Sequence, residues 1–390
     1  MTKTEKKILG ITSLGHGLCH VYILSLAALL LPITKEFNLS LTALTGIGTI
    51  CYFLFGIGAF PAGILTTLTN PKLMLKVFFL GSAVSAIFLG FAPNLIIFSI
   101  CLAFLGLFNG IYHVAGPSML AHHQNKIGKS FGIHGVAGSA GITIAPLLAS
   151  AIAILLGWRS VYILLAIPGF IGFFLLFFDK IIPKESTNNK PKELTDTKNS
   201  IWLYFILFLV ILALNGFVYR SFLTIFPIYL SKNAHLFNVN PLFTGGLLSS
   251  IILSFGMIGQ YFGGLLSDKY NKLKLYFLFL LVTAPLFALM GFFSGLPLVL
   301  TGIIFSIFYF PLQPVENSII SRVTPEKFVG TIFGFKFVLS FGIGSLGAIF
   351  AGFVTDNMGM TNLFYMISAI AVLSIILVGV ILNINNFRRM

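Results

Sequence analysis

Residues 202–230 read WLYFILFLVILALNGFVYRSFLTIFPIYL, a stretch whose one formal charge is Arg220. At about 1.5 Å rise per residue, a helix of this length crosses the roughly 30 Å hydrocarbon core of a bilayer. Comparable apolar runs recur at about 8–32, 41–66, 74–92, 94–118, 130–156, 160–179, 243–267, 275–293, 295–319, 328–353 and 362–384. The 390 residues are 57% hydrophobic and 9% charged, far from the about 25% charged residues of soluble domains. A membrane β-barrel would instead show short alternating segments. The expected fold class is an all-α membrane protein of twelve transmembrane helices.

A net charge of +14 suggests nucleic acid as a partner, but the distribution of charge argues for a membrane. With the N-terminus cytoplasmic and twelve alternating spans, all but five of the 24 Lys and Arg residues fall on the cytoplasmic side. Lys35, Arg159 and Lys232 face the other way, and Arg220 and Lys336 lie within spans. This is the positive-inside bias. It predicts a multi-pass protein of the cytoplasmic (inner) membrane, both termini cytoplasmic, with no nucleic-acid partner. The Lys-rich start before the first run resembles a signal peptide, but the run is long, holds two histidines and lacks a small-residue cleavage site. It is read as the first membrane helix. Cys19, Cys51 and Cys101 are scattered within apolar runs and read as small core residues.

The longest hydrophilic stretch, Asp179–Ser200, is rich in Lys, Asn, Thr and Pro and reads as a cytoplasmic linker. The expected domains are a six-helix bundle over 1–179, the linker over 180–200, and a second six-helix bundle over 201–390. A shift of 202 residues places Gly132 on Gly334, Val136 on Val338, Ala149 on Ala351, Gly157 on Gly359, Tyr162 on Phe364 and His134 on Lys336. A shift of 201 places Gly58 on Gly259, Gly63 on Gly264 and Leu65 on Leu266. Together with the matched topology, these coincidences favour duplicated, pseudo-symmetric halves.

Ionisable groups in hydrocarbon are costly and commonly face partners or a polar path. They fall on equivalent spans of the two halves: His16 and His20 on the first and Arg220 on the seventh, His113 on the fourth and Glu316 on the tenth, His134 on the fifth and Lys336 on the eleventh. Spans three, six, nine and twelve carry none away from their ends and are expected to face lipid.

This organisation resembles the major facilitator superfamily, whose first, fourth, seventh and tenth spans line a central cavity. Gly264-Leu-Leu-Ser-Asp268-Lys269 is similar to that family's loop motif, in which the aspartate braces helix ends at the cytoplasmic gate. The first-half copy, Gly63-Ile-Leu65-Thr-Thr67, has Thr67 in place of the carboxylate. Gly132-x8-Gly141-x3-Ala145-Pro146 resembles a relaxed antiporter motif, with a packing seam as the competing reading. The drug-antiporter arginine is missing, since Leu102 stands four residues before Gly106. Leu14-Gly-His16-Gly-Leu-Cys-His20, Gly110-Ile-Tyr-His113-Val-Ala-Gly-Pro117, Gly132-Ile-His134-Gly and Gly157-Trp158-Arg159 are similar to bacterial members near the fosmidomycin-resistance branch of drug-efflux proteins.

Spacing of i, i+4 puts His16 and His20 on one helix face, and histidine changes charge near physiological pH. Glu316, His20, His113, His16 and His134 are therefore the candidates for proton coupling, against a bland reading as neutral hydrogen-bonding braces. Glu316 and Lys336 lie at similar depth on antiparallel spans, so an ion pair is expected, either permanent or tuned by proton exchange. Arg220, Lys336, Tyr112, Asn109, Asn215 and Gln313 are candidates for substrate binding, and Gly264, Asp268 and Lys269 for the gate. The four histidines and Cys19 suit a soft transition metal, but nothing in the sequence makes imidazoles from three spans converge, and no metal site or cofactor is expected. The resemblance implies a monomeric, proton-coupled secondary transporter of a small organic solute, anionic or zwitterionic, working by alternating access, with export favoured over uptake symport of an organic anion. Transition-metal transport and a non-transporting membrane receptor are the further alternatives. No catalytic motif supports an enzyme.

Overall fold

In the computed structural model, which describes residues 1–123, 127–179, 200–236, 240–323 and 335–383, every regular element is helical. The helix ends follow from local chemistry. Thr2 and Glu5 form a capping box at the start of the first helix, and Ser40, Asn70, Asn240 and Asn271 cap later ones, with Pro71 and Pro241 in the first turn. Twelve helices are long and apolar enough to cross a bilayer: Lys3–Phe37, Leu41–Thr66, Pro71–Gly90, Leu95–Leu120, Ile133–Leu156, Trp158–Phe177, Ile206–Asn233, Pro241–Lys269, Lys272–Phe292, Gly295–Ile320, Phe335–Met358 and Met360–Asn383. These are spans 1 to 12. The start expected for span 11, residues 328–334, the linker up to residue 199, Gly334 and the side chain of Thr67 lie outside the described residues.

Packing repeats between the halves. Span 1 packs on spans 4, 5 and 6, span 2 on span 4, and span 3 on spans 4 and 6. In parallel, span 7 packs on spans 11 and 12, span 8 on span 10, and span 9 on spans 10 and 12. Across the halves, span 5 meets span 8 and span 2 meets span 11, two interfaces exchanged by the same equivalence. Gly157 and Gly359, matched by the sequence shift, both join consecutive spans with positive φ, 84° and 89°. No atom lies within 4 Å of a Cβ built on either glycine, so an alanine there meets backbone strain alone. Gly359→Ala is expected to destabilise the protein by about 1–2 kcal/mol, read as a lower melting temperature of purified protein.

The second half departs from the first at one level. Spans 4 and 5 are unbroken helices, Leu95–His123 and Ile127–Leu156. Span 10 breaks after Tyr309 and resumes at Leu312, with Pro311 unable to donate to the ladder. Span 11 passes through a π turn at Val338–Gly342 and a 3-10 turn at Ile343–Ser345 before its regular helix, Leu346–Met358. Both breaks border the central cavity described below.

The halves meet on the membrane face opposite the N-terminus, called here the far side. Thr42, in the first turn of its helix, donates from both backbone and hydroxyl to Asp356 Oδ2 at 2.7 Å. Thr49 Oγ1 accepts from Ile349 N at 3.1 Å, while its own proton goes to Thr45 O at 2.9 Å with Ser345 O as a longer second acceptor at 3.4 Å. Leu147 N donates to Ser250 Oγ at 3.1 Å between spans 5 and 8. The Gly157-Trp158-Arg159 motif works on the same side within the first half. Trp158 Nε1 donates to Glu36 Oε2 at 2.6 Å, Arg159 pairs with Glu36, and Arg159 also donates to Ala92 O at 3.0 Å.

Candidate functional site

A cavity of about 100 Å³ lies between the halves. Its polar lining includes His20 from span 1, Asn215 and Arg220 from span 7, Gln313 and Glu316 from span 10, and Lys336 and Ser340 from span 11. Phe55, Tyr219, Tyr309, Phe337 and Phe341 make much of the rest.

The second half contributes a closed polar network. Lys336 Nζ stands 3.2 Å from Glu316 Oε2 and donates to Asn317 Oδ1 at 2.6 Å. Both members of the pair are buried, with Lys336 4% and Glu316 8% exposed. Tyr276, on span 9, donates its hydroxyl to Glu316 Oε1 at 2.7 Å and accepts from Asn215 Nδ2. Tyr309 donates to Asn215 O at 3.3 Å. The expected pair therefore exists, and spans 9 and 7 extend it. Span 9 thus does more than face lipid: its phenol reaches the ion pair.

Arg220 has no carboxylate within ion-pair distance among the described residues. Its guanidinium instead sits 3.8 Å from the ring centroid of Tyr52, which belongs to the first half. A desolvated cation over an aromatic face gains about 2 kcal/mol, less than a full counter-charge supplies, and the cation is only 5% exposed. The cavity therefore has an excess of positive charge.

The four histidines, drawn from three spans, do converge. The His16 ring stacks on His134 with centroids 4.3 Å apart and lies 5.1 Å from His20 and 5.7 Å from His113. Their hydrogen bonds fix tautomers. Tyr112 spends its only proton on Thr12 O, so His134 must donate through Nε2, 2.7 Å away. A carbonyl can only accept, so His16 donates through Nδ1 to His134 O at 2.9 Å. Cys19 donates to Asn109 O and lies 3.8 Å from His113 Nε2. Among the described residues no group of three or more His, Cys, Asp or Glu side chains is arranged to hold a metal ion. The cluster is contiguous by ring contact, and only His20 lines the cavity.

Of the candidate substrate-binding residues, Arg220, Lys336, Asn215 and Gln313 line the cavity, and Tyr112 and Asn109 do not. Tyr112 is fully buried behind the cavity and holds His134. Asn109 turns its amide back onto Leu105 O at 2.8 Å within its own helix. Neither lines the cavity: Tyr112 reaches Thr12 on span 1 and His134 on span 5, and Asn109 bonds within span 4. His16, His113 and His134 also stand behind the wall. Tyr112→Phe leaves the His134 donor without its acceptor and is expected to cost about 1–3 kcal/mol, measured by thermal unfolding.

Of the gate residues, Asp268 and Lys269 are exposed, with no ion pair among the described residues, and Gly264 has open space where a Cβ would stand. Lys272 caps the same helix end on Ser267 O at 2.8 Å. In the antiporter-like stretch, a Cβ on Gly141 would fall 2.8 Å from Gly17 Cα, so this glycine serves the close packing of spans 1 and 5. Sequence reasoning missed Tyr276, Tyr52, Tyr309 and the Phe337–Phe341 pair. Their one signal is a hydroxyl or ring at the depth of a charged residue.

The profile of the Major Facilitator Superfamily matches residues 16–345 and 246–389. The chain is 25% identical over 378 residues to "Uncharacterized MFS-type transporter YfnC" of Bacillus subtilis (strain 168), covering 92% of this chain and 90% of that protein. It is 26% identical to "Probable nitrate transporter NarT" of Staphylococcus haemolyticus (strain JCSC1435), covering 82% of each. Other relatives include bacterial multidrug-resistance proteins. In fold it is similar to a bacterial homolog of the human lysosomal transporter Spinster in an inward-facing and occupied conformation, with a TM-score of 0.79, 14% identity and 97% of both chains covered. Twelve helices in two equivalent halves around a charged cavity, matched along nearly their whole length, make this multi-pass membrane protein a transporter of the Major Facilitator Superfamily.

Proposed function

We propose that this chain co-transports a proton with a small anionic or zwitterionic solute by alternating access, and that Glu316 carries the proton. The observation behind this reading is the buried Glu316–Lys336 pair on the wall of a cavity that also holds Arg220. With Glu316 ionised, Lys336 is neutralised and one cation, Arg220, is left over. A proton on Glu316 removes that neutralisation, so the cavity gains a second cation to meet an anion. Proton and anion therefore favour each other's binding and travel together. The aromatic lining suits an apolar body, and the cavity, well below the roughly 300–1,000 Å³ of a drug-sized pocket, suits a small one. The match to a probable nitrate transporter supports an anion. The basic bias of the N-terminal face supports its assignment to the cytoplasm of a bacterial inner membrane, with uptake as the working direction.

Export, favoured by the sequence resemblance and supported by the multidrug-resistance relatives, predicts the opposite coupling sign. Purified protein in proteoliposomes under an imposed pH gradient separates the two. Nitrate and benzenesulfonate, which stay ionised and do not cross lipid as neutral acids, serve as anionic probes, with amino acids and cationic drugs as the contrast. Accumulation of an anion into an alkaline lumen is the expected result. Solute leaving as protons enter would establish export, and flux indifferent to the gradient would end the coupling reading.

A further inference from the structure

The proton on Glu316 must change what the solute meets, and the hydrogen bonds between Glu316 and the cavity supply a route. An ionised carboxylate only accepts. Tyr276 has one proton and gives it to Glu316 Oε1 at 2.7 Å. Its oxygen must then accept from Asn215, which fixes the amide with Nδ2 toward the phenol. The Asn215 side-chain oxygen, Oδ1, makes no hydrogen bond to the described residues, and Asn215 lines the cavity. In this state the asparagine offers the cavity an acceptor, the wrong polarity for an anion.

Protonation reverses the chain. Glu316 Oε2 faces the Lys336 ammonium at 3.2 Å, so an added proton belongs on Oε1, toward Tyr276. The carboxyl then donates to the phenol oxygen, and the phenol proton needs a new acceptor. Asn215 supplies one by turning its amide half a revolution, which puts Oδ1 on Tyr276 and NH2 toward the cavity. The one covalent bond formed is the O–H of the proton gained, which stays on Glu316, and every other change is an exchange of hydrogen bonds. Among the described residues, the charged or titratable groups facing Glu316 are Lys336 of span 11, Tyr276 of span 9 and Tyr309 of its own span, with Arg220 of span 7 and His20 of span 1 in the same cavity. Tyr309 holds the Asn215 backbone carbonyl, so the side chain can turn without moving its helix.

We propose that Tyr276 and Asn215 are positioning residues that relay the protonation of Glu316 to the cavity, turning Asn215 from acceptor to donor so that the anion's hydrogen-bond donor is presented only when the proton is bound. The inference rests on Glu316 as the proton site of an anion carrier.

Infrared difference spectroscopy of the purified protein in lipid, acidic minus alkaline buffer, tests it without any solute. The wild type is expected to show a protonated-carboxyl band that Glu316→Gln removes, and an asparagine amide band that Asn215→Leu removes. Tyr276→Phe, which keeps the ring, is expected to retain the carboxyl band and lose the amide band. An amide band that persists in Tyr276→Phe, or is absent from a wild type with the carboxyl band, overturns the relay while leaving Glu316 as the proton site. Absence of the carboxyl band overturns both. A second arm does not depend on folding of the Tyr276 variant. Asn215→Leu is expected to keep the carboxyl band yet lose about tenfold in proton-driven uptake of benzenesulfonate or nitrate, the scale of one hydrogen bond to a charged group. Undiminished uptake there also sinks the relay.

Discussion

Lys336→Met is expected to destabilise the protein by about 3–5 kcal/mol, the usual cost of leaving one member of a buried ion pair alone. The lysine is 4% exposed, and its amine has Glu316 at 3.2 Å and Asn317 at 2.6 Å. Removing it leaves a carboxylate whose one remaining hydrogen-bond donor among the described residues is the Tyr276 hydroxyl. The loss should show as reduced monodisperse yield and a lower melting temperature. It should shrink in acid, because a proton bound by Glu316 removes the stranded charge. The double variant Glu316→Gln/Lys336→Met has no stranded charge and is expected to recover to within about 1 kcal/mol of the wild type. Its transport phenotype then carries the functional question separately from folding. Solute exchange with proton-driven accumulation abolished is the expected result. Full accumulation by the double variant would remove Glu316 from the coupling step, and an undisturbed Lys336→Met would show that the pair contributes little to stability.

How much of this was legible in sequence depended on what each feature needs. Span number and the two halves rest on length, hydropathy and charge bias, all of them one-dimensional. The Gly157–Gly359 match belongs to the same class, and both positions adopt the same positive-φ junction. Depth is also one-dimensional: a fixed rise per residue along antiparallel spans put Glu316 level with Lys336, and they pair. Rotation about a helix axis is different. A helix that is apolar all round has almost no moment to say which way it turns, so nothing placed Tyr112 and Asn109 behind the wall or gathered His16, His20, His113 and His134 within ring contact. Tyr276 was hidden for a related reason, since a lone phenol in an apolar run looks like any other aromatic residue. The partner of Arg220 was unreadable because it is an aromatic face on the other half. The breaks in spans 10 and 11 had local signals in Pro311, Gly342 and Gly344, but the first packs on span 8 of its own half and the second against span 2 across the halves, contacts that sequence alone does not show.

Those contacts give the other large expectation, that Gly56→Val lowers transport by about ten- to a hundredfold while leaving each half folded. A Cβ on Gly56 of span 2 would lie 2.5 Å from the Phe341 carbonyl carbon and 2.6 Å from Gly342 Cα, inside the π turn of span 11. Across that turn, a Cβ on Gly216 of span 7 would lie 2.7 Å from Ser340 Cα. The turn is thus gripped between two backbones, and neither side can yield as a flexible side chain would. Overpacking by a branched residue costs about 1–3 kcal/mol. Here the cost falls on the conformation in which the halves touch on the far side, because separating them relieves the clash. Each 1.4 kcal/mol shifts the closed population about tenfold, which sets the expected loss. Purified Gly56→Val should remain monodisperse. A cysteine at Ile142, which lines the cavity, should react faster with an impermeant maleimide added from the far side, in a background lacking Cys19, Cys51 and Cys101. Gly56→Ala should fall between the two. Wild-type transport and labelling in Gly56→Val would mean that far-side closure does not require this backbone contact, and alternating access would have to seal elsewhere along spans 2 and 11.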